Sequence, residues 1–504
     1  MSALSIRASK RFGELDALRD AHLVVAPGTV HAVVGENGAG KSTLLKIACG
    51  VLRADRGELA LGGTRCDLAR HTVKAAQALG VGMVHQHGML VPTLTLAENA
   101  ALGHEVRRGG LLELEAARRE LRAAAARLDQ PLDPDAVAGS LTVGEQQRAE
   151  IVIVSARATK LLVLDEPTAL LVPREVEALF ALLRRVASEG TAVVLVTHKL
   201  DEVAAVASAI TVLRAGQTVA ELAGGTSTQA VARAMVGGEP PAAGAAPPPP
   251  KDGAPVMLAA RSLRLRGGDH GASAPEVSFE VRGGEVMGIA GVEGNGQREL
   301  IHALVGLAAP RAGSVAIAGV DATRASVAAR RAAGLAHVPE DRQLHGLVLD
   351  ASVADNVLLG RTAEATRGWR IDSERQRALA ERALTDLDVR PPDPALAARS
   401  LSGGNQQKLV VARELGRPAV RVVIAAQPTR GVDLAAQARI HDRLRAAAVE
   451  GAAVLVVSAD LDELFALCHR VAVLHRGAVA GELAGEALRA ADARAQLGAW
   501  MVGA

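Results

Sequence analysis

Short apolar runs alternate with helical patterns along the chain. In the first half the order is strand, helix, strand, helix, strand, predicted over 161–166, 173–190, 191–198, 201–208 and 210–216. Such alternation indicates an α/β fold with a mostly parallel sheet covered by helices. The stretches from about 110 to 160 and from about 360 to 418 carry no strand signal. We therefore expect a helical subdomain in each half of the chain.

The sequence repeats itself. The segment VHAVVGENGAGKSTLLKIACGVL at 30–52 returns as VMGIAGVEGNGQRELIHALVGL at 286–307, 256 residues later. Displacements of 260 and 261 residues relate LTVGEQQR to LSGGNQQK and LVLDEPT to VIAAQPT. The repeat predicts two tandem domains at 1–238 and 256–504. The proline-rich segment 239–255 reads as the linker between them.

Composition narrows the classes of function. Among 504 residues, 57 basic side chains balance 55 acidic ones, which argues against a protein that coats nucleic acid. The three cysteines are scattered, which favours a reducing compartment without disulfides or a zinc site. No apolar run reaches the roughly 20 residues that a spanning helix needs. We expect a soluble chain that requires partners if it works at a membrane.

A phosphate-binding loop is the clearest chemical motif. Residues 35–43 fit GxxxxGK[ST] between a predicted strand and a predicted helix, the context that the motif requires. Backbone N–H groups of such a loop surround phosphate oxygens, the lysine neutralises them and the serine hydroxyl binds Mg²⁺. The alternative is a plain glycine-rich turn. The candidate residues for binding ATP here are Gly35, Asn37, Gly38, Gly40, Lys41, Ser42 and Thr43.

Two carboxylates follow a strand downstream. Asp165 and Glu166 end the run LLVL, where the first can hold Mg²⁺ through water and the second can orient or deprotonate the attacking water. By itself an Asp-Glu pair at a strand end is usually a solvated turn. Downstream of a complete phosphate-binding loop, we interpret the pair as catalytic.

With these motifs the chain resembles the ATP-binding-cassette superfamily over nearly its whole length. The most specific mark is LSGGNQQ at 401–407, immediately before a helix, although a serine followed by glycines also makes an ordinary helix cap. The resemblance implies that this signature loop contacts the γ-phosphate held by the opposite cassette. The residues concerned are Ser402, Gly403, Gly404 and Asn405.

The resemblance assigns three further residues. It implies that Gln86 contacts Mg²⁺ and water and senses the membrane partner, and that His198 touches the γ-phosphate. Phe12 occupies the place of an adenine-stacking aromatic, with plain packing as the alternative. His85 and His87, beside Gln86, are read as loop residues and not as metal ligands.

The second copy departs from the first at its own site. In the phosphate-binding loop, Lys41 is replaced by Gln297 and Ser42 by Arg298. Downstream, Asp165 is replaced by Ala426, Glu166 by Gln427 and His198 by Ala459, and Glu340 aligns near Gln86. Yet the second copy keeps LSGGN and Asp433, which the family lends across the interface. The first copy instead has LTVGE and Val172 at those places. Head-to-tail packing would gather the intact elements at one hydrolytic site. The other site is structural or regulatory, and either nucleotide-bound or empty.

The second loop GxxGNGQ, HVPEDR and AAQPTRGVD resemble bacterial sugar and nucleoside importers, and VHQH and VGEQQR favour the nucleoside branch. This resemblance implies two permease subunits, an extracytoplasmic solute-binding protein and a peripheral place on the cytoplasmic face of the inner membrane.

Three other classes of protein remain as alternatives. A ribosome-associated translation factor generally keeps both sites, a DNA-repair ATPase needs zinc motifs or coiled coils, and a nucleotide sensor needs no complete hydrolytic set.

Overall fold

The computed structural model describes residues 2–13, 15–85, 88–108, 111–157, 159–168, 171, 173–239, 248–251, 253–265, 275–292 and 294–503. The chain divides into two compact units, Met1–Pro240 and Pro241–Ala504. Both combine parallel strands with covering helices, which confirms the α/β class. The predicted linker 239–255 falls partly outside the described residues, so the domain boundaries stay a prediction.

The first unit alternates strands and helices from its start. Its strands are β1 Leu4–Phe12, β2 Leu15–Val25, β3 Val30–Val34, β4 Arg56–Leu61, β5 Thr64–Cys66, β6 Val81–Val84, β7 Arg107–Arg108, β8 Leu111–Leu112, β9 Leu161–Asp165, β10 Ala192–Val196, β11 Ala209–Arg214 and β12 Gln217–Ala223. Its helices are α1 Lys41–Ala48, α2 Val73–Ala78, α3 Leu96–Ala101, α4 Leu114–Arg127, α5 Val143–Ser155, α6 Pro173–Ser188, α7 Leu200–Val206 and α8 Thr228–Val236.

The second unit repeats this succession. Its strands are β13 Val256–Arg264, β14 Glu276–Arg282, β15 Val286–Ala290, β16 Ala312–Ile317, β17 Val320–Asp321, β18 Leu335–Val338, β19 Thr366–Arg367, β20 Arg370–Ile371, β21 Val422–Ala426, β22 Ala453–Ser458, β23 Arg470–His475 and β24 Ala478–Ala484. Its helices are α9 Gln297–Val305, α10 Val327–Ala332, α11 Val353–Leu358, α12 Thr362–Ala365, α13 Ser373–Asp386, α14 Gly403–Leu415, α15 Leu434–Val449, α16 Leu461–Leu467, α17 Gly485–Arg489 and α18 Ala493–Val502.

Each unit carries one six-stranded sheet of the same topology. The order is β12-β11-β3-β10-β9-β6 in the first unit and β24-β23-β15-β22-β21-β18 in the second. The inner strands pair in parallel, and only the edge strands β12 and β24 run antiparallel to their neighbours. Strands covered on both faces need apolar residues throughout, and β9, β10 and β21 are buried at every position. The carboxyl ends of β3 and β9 thereby meet at one edge, where the candidate site lies.

The predicted helical subdomains are confirmed by α4 and α5 in the first unit and by α13 and α14 in the second. The expectation of no strand was wrong at one point in each. A hairpin of two-residue strands, β7–β8 or β19–β20, precedes the first long helix. Such short strands leave too few positions for an alternating pattern, so periodicity does not detect them.

Candidate nucleotide site

The phosphate-binding loop joins β3 to α1. Gly40 is the N-cap of α1 with φ +98°, and Gly38 has φ +84°, both left-handed conformations that favour glycine. A Cβ at Gly40 would lie 2.6 Å from a methyl carbon of Leu18 and 2.7 Å from the carbonyl oxygen of Ala17. The loop is therefore closed against β2, and its backbone amides and the N-terminus of α1 form a cradle suited to an anion.

Lys41 lies inside this loop. Its side chain is only 6% exposed, and Nζ donates to the carbonyl oxygens of Gly35 at 2.6 Å and Glu36 at 3.1 Å. Burial lowers the pKa of the ammonium group, while the carboxylates of Glu166 and Asp165 act in the opposite direction. The cation is thus held among backbone carbonyls in the centre of the loop. Asn37 adds a buried Nδ2 donor that has no partner among the described residues.

Ser42 and Asp165 face each other at the end of β9. The Ser42 hydroxyl donates to Asp165 Oδ1 at 3.1 Å, and Asp165 is 7% exposed. Burial raises the pKa of this carboxyl group, and the bond from Ser42 opposes the rise. A hydroxyl and a buried carboxylate beside a phosphate cradle are oxygen ligands of the kind Mg²⁺ prefers, directly or through water. The residues present therefore fit a magnesium ion.

Glu166 follows in a strained conformation. Its φ is +49°, and its backbone N–H donates to the Val196 carbonyl at 2.9 Å, which fixes the turn after β9. Its Oε1 lies 3.2 Å from Nδ1 of His198. Burial raises the pKa of Glu166, but the hydrogen bond to His198 and the charges of Lys41 and Lys199 together bring it below its ordinary value. The carboxylate is ionised at neutral pH and can accept a proton or orient water.

A supporting carboxylate that the motif search missed lies beneath this pair. Glu202 is 7% exposed and accepts bonds from the hydroxyls of Thr168 at 2.5 Å and Thr197 at 2.8 Å. It thereby ties the loop after β9 to the loop that carries His198. The second unit repeats the contact between Thr429 and Glu463 at 2.6 Å, 261 residues further on. That exact recurrence in both copies was the available signal.

The remaining predicted residues of the first-unit site are Phe12, Thr43 and Gln86. Phe12 ends β1, is 45% exposed and has Lys10 Nζ 5.4 Å from its ring centroid. Thr43 lies in the first turn of α1. Gln86 and His87, like Val172, fall outside the described residues.

The corresponding loop of the second unit keeps the backbone and changes the side chains. Gly296 caps α9 with φ +103°, and Gln427 has φ +46° with its N–H bonded to the Val457 carbonyl at 2.7 Å. Gln297 donates to the Val292 carbonyl at 3.0 Å. Arg298, which stands where Ser42 stands in the first unit, pairs with Glu340 at 3.6 Å. The two loops have the same backbone conformation, and their side chains at the site differ.

The signature loop of the second unit begins α14. Ser402 is the N-cap, and its Oγ accepts from the backbone N–H of Asn405 at 3.4 Å and from Asn405 Nδ2 at 3.0 Å. Gly403 and Gly404 form the first turn. Asp433 caps α15 by accepting the Ala436 N–H at 2.7 Å. These candidates lie in a different compact unit from Lys41.

A glycine cradle at the carboxyl edge of a parallel sheet, with a buried lysine, a serine, two carboxylates and a histidine, defines a P-loop nucleotide hydrolase. The family model for ABC transporters matches residues 18–169 and 275–429. The chain belongs to this family. It binds ATP and is an ATPase coupled to solute transport.

Curated relatives match almost end to end. The chain is 39% identical over 503 residues to the nucleoside import ATP-binding protein NupA of Lactococcus lactis, covering 99% of this chain and 97% of that protein. It is 39% identical to the ribose import ATP-binding protein RbsA of Chromobacterium violaceum, covering 94% of this chain and 93% of the relative. A solved structure of the archaeal ribosome recycling factor aABCE1 with stalk protein aP1 is similar at TM-score 0.59 and 19% identity. It covers 93% of this chain and 87% of that one, and shows the fold alone.

Proposed function

We propose that this chain is the ATP-hydrolysing subunit of a bacterial importer for nucleosides or simple sugars. The observation that carries the proposal is the match over 99% of the chain to a nucleoside import ATP-binding protein. A ribose import protein matches at the same 39% identity, so the two solute classes stand level on this measure. The VHQH and VGEQQR segments support the nucleoside side.

Hydrolysis is proposed to take place at one composite site. Lys41, Glu166 and His198 come from the first cassette, and the signature residues Ser402 to Asn405 come from the second. The support is the way the substitutions are distributed. The first cassette has a complete site of its own, whereas the second keeps the elements that the family lends to the opposite cassette. We assign the cassettes to 1–238 and 256–504, with 239–255 between them.

Mg²⁺ would be held by Ser42, by Asp165 through water and by Gln86. The ion would supply positive charge to the β- and γ-phosphates of ATP. Lys41 adds charge on the same oxygens, Glu166 accepts the proton of the attacking water, and His198 keeps that carboxylate oriented. Phe12 would stack on the adenine. In the second unit Arg298 and Ala426 stand in place of Ser42 and Asp165, and Glu340, which aligns near Gln86, is paired with Arg298, so that site does not fit the metal.

The membrane-spanning part of the importer would come from partner proteins. No helix in the described ranges is both long and apolar enough to cross a bilayer. We propose that the chain binds two permease subunits at the cytoplasmic face of the inner membrane, and that an extracytoplasmic protein delivers the solute. ATP bound between the cassettes would hold them together and hydrolysis would release them, a switch that the permeases can follow.

The test is purification from the native cell. The tagged chain is extracted from gently solubilised membranes, and copurifying proteins are identified by mass spectrometry. Two multi-span proteins in stoichiometric amounts are expected, and the ligand of the neighbouring binding protein then identifies the solute. Ribosomal proteins without a permease would overturn the transport assignment in favour of a translation factor.

A further inference from the structure

The β19–β20 hairpin presents the most exposed aromatic side chain among the described residues. Trp369, at its tip, is 83% exposed, and Ile371 beside it is 51% exposed. The chain has only two tryptophans and no tyrosine, and the other, Trp500, packs against Gly481. Exposing a large aromatic ring to water is unfavourable, so such a residue at a hairpin tip marks a surface that contacts something else.

The hairpin is held firmly at its base. The backbone N–H of Asp372 donates to the Ala365 carbonyl at 2.7 Å, and the Thr366 hydroxyl donates to the Thr362 carbonyl at 2.6 Å. Asp372 also caps α13. Because both ends of the hairpin are fixed to helices, the tip projects as a defined feature of the second unit.

Two arginines surround the tryptophan. The guanidinium carbon of Arg370 lies 4.3 Å from the centroid of the Trp369 ring. Arg367 lies opposite Arg370 in the backbone register of the hairpin. The nearby carboxylates are already engaged, Glu364 with Arg361 at 2.7 Å and Asp372 with Arg375 at 3.7 Å. In the part of the chain that the structure describes, neither Arg367 nor Arg370 has an ion pair. The tip is therefore both apolar and positively charged.

We propose that residues 366–371, here called the Trp369 hairpin, dock on the surface of a bilayer that contains anionic phospholipids. An amphipathic indole favours the boundary between headgroups and acyl chains. Arginines beside it gain energy from anionic headgroups while their apolar stems lie against the lipid. A face with an exposed indole, an exposed isoleucine and two guanidinium groups that have no ion pair among the described residues matches this surface in both polarity and charge.

The first unit provides an internal comparison. Its hairpin pairs Arg107 with Leu112 and Arg108 with Leu111, the same register 259 residues earlier. Its tip residues 109 and 110 lie outside the described residues, and the sequence has two glycines there in place of Gly368 and Trp369. The aromatic contact is thus confined to the second cassette.

Fluorescence can isolate the hairpin in the full-length chain. The substitution Trp500→Phe leaves Trp369 as the sole tryptophan, without tyrosine background. This variant is titrated with vesicles of phosphatidylglycerol and phosphatidylcholine, and separately with phosphatidylcholine alone. A blue shift of the emission and protection from acrylamide are expected with the anionic vesicles only. In cosedimentation, Arg367→Ala with Arg370→Ala is expected to weaken binding about thirtyfold, and Trp369→Ala about tenfold.

Val320→Ala is the matched control, because Val320 is 63% exposed on the two-residue strand β17 of the same unit. It should leave vesicle binding unchanged. An unshifted emission with every vesicle composition overturns the proposal, as does equal binding to neutral and anionic vesicles. A shift that appears only when purified permease is added in lipid without anionic headgroups also overturns it, because the hairpin is then a protein contact.

Discussion

The loops before α1 and α9 share a backbone conformation and differ in almost every side chain at the proposed site. The N-cap glycines Gly40 and Gly296 have φ of +98° and +103°, and Glu166 and Gln427 have φ of +49° and +46°. The backbone hydrogen bond of the residue after β9 and β21 is also repeated, at 2.9 and 2.7 Å. A strained turn that survives without its carboxylate is therefore set by the sheet and not by catalysis.

Both units keep the buried glutamate that supports the loop after the strand, although their side chains at the proposed site differ. Glu202 and Glu463 accept a bond from the equivalent threonines Thr168 and Thr429 in both units, although only the first unit has a histidine at the position of His198. In contrast, the Ser42–Asp165 contact is replaced by Ala426 and the Arg298–Glu340 ion pair. The comparison separates residues that shape the loop from residues that are proposed to act on phosphate.

The largest expected effect comes from the comparison of Glu166, which follows β9, with Gln427, which follows β21. Glu166→Gln removes the proposed base while keeping the size of the side chain and the turn, so ATP turnover in the assembled complex should fall about 10³-fold. The matched change Gln427→Glu should alter turnover less than about twofold, because no lysine or histidine accompanies it. Steady-state phosphate release measures both. Substantial turnover in Glu166→Gln would sink the one-site hypothesis.

The loop lysine gives the next comparison. Lys41→Ala removes a buried cation from among the loop carbonyls, and ATP affinity should fall about 100-fold, the value of a charge-assisted contact of about 3 kcal/mol. Gln297→Ala, the matched change in the second unit, should leave ATP affinity at the hydrolytic site unaltered. Titration with a fluorescent ATP analogue measures the two constants. Equal losses in both variants would show that the two loops contribute alike.

The sequence was sufficient for the fold class and the first phosphate-binding loop, because both depend on local signals. Continuous apolar runs predicted β9 and β10, and the GxxxxGK[ST] spacing predicted the loop at 35–43 between a strand and a helix. The Arg298–Glu340 pair was not predicted, because the two side chains come from separate segments that meet only in the folded sheet. Phe12 was placed by resemblance, and its stacking role stays a prediction.

A third comparison concerns burial of charge. Glu150 on α5 is 5% exposed and accepts the Met89 N–H at 3.3 Å, whereas the second copy has Val410 at this place. Burial raises the pKa of Glu150 from its ordinary 4.5 to about 7. The folded chain holds this proton more tightly than the unfolded chain, so the protonated group's contribution to stability is complete below pH 4.5. It is lost as the pH rises through 7.

Glu150→Gln should therefore match the parent below pH 4.5 and be more stable above pH 7. The difference should be on the order of 3 kcal/mol at most. Urea unfolding of the full chain at pH 4.5 and 8 measures it. Glu145→Gln is the control with the opposite sign, since hydrogen bonds from Thr142 lower the pKa of that carboxyl group. A Glu150→Gln variant that loses stability above pH 7 would contradict this account.

The smallest expected effect distinguishes the two signature loops. Ser402 and Thr142 both cap their helices, Thr142 with the fuller arrangement because Glu145 also accepts the Thr142 N–H at 2.8 Å. Replacing either by alanine should cost about 1 kcal/mol of stability through the lost cap. Only Ser402→Ala should also slow turnover, about tenfold, because only that hydroxyl is proposed to reach the γ-phosphate across the cassettes. Turnover and urea unfolding are measured on both variants. If Thr142→Ala slows turnover as much as Ser402→Ala, the signature contact is not confined to one site, and the asymmetry of the substitutions has another origin.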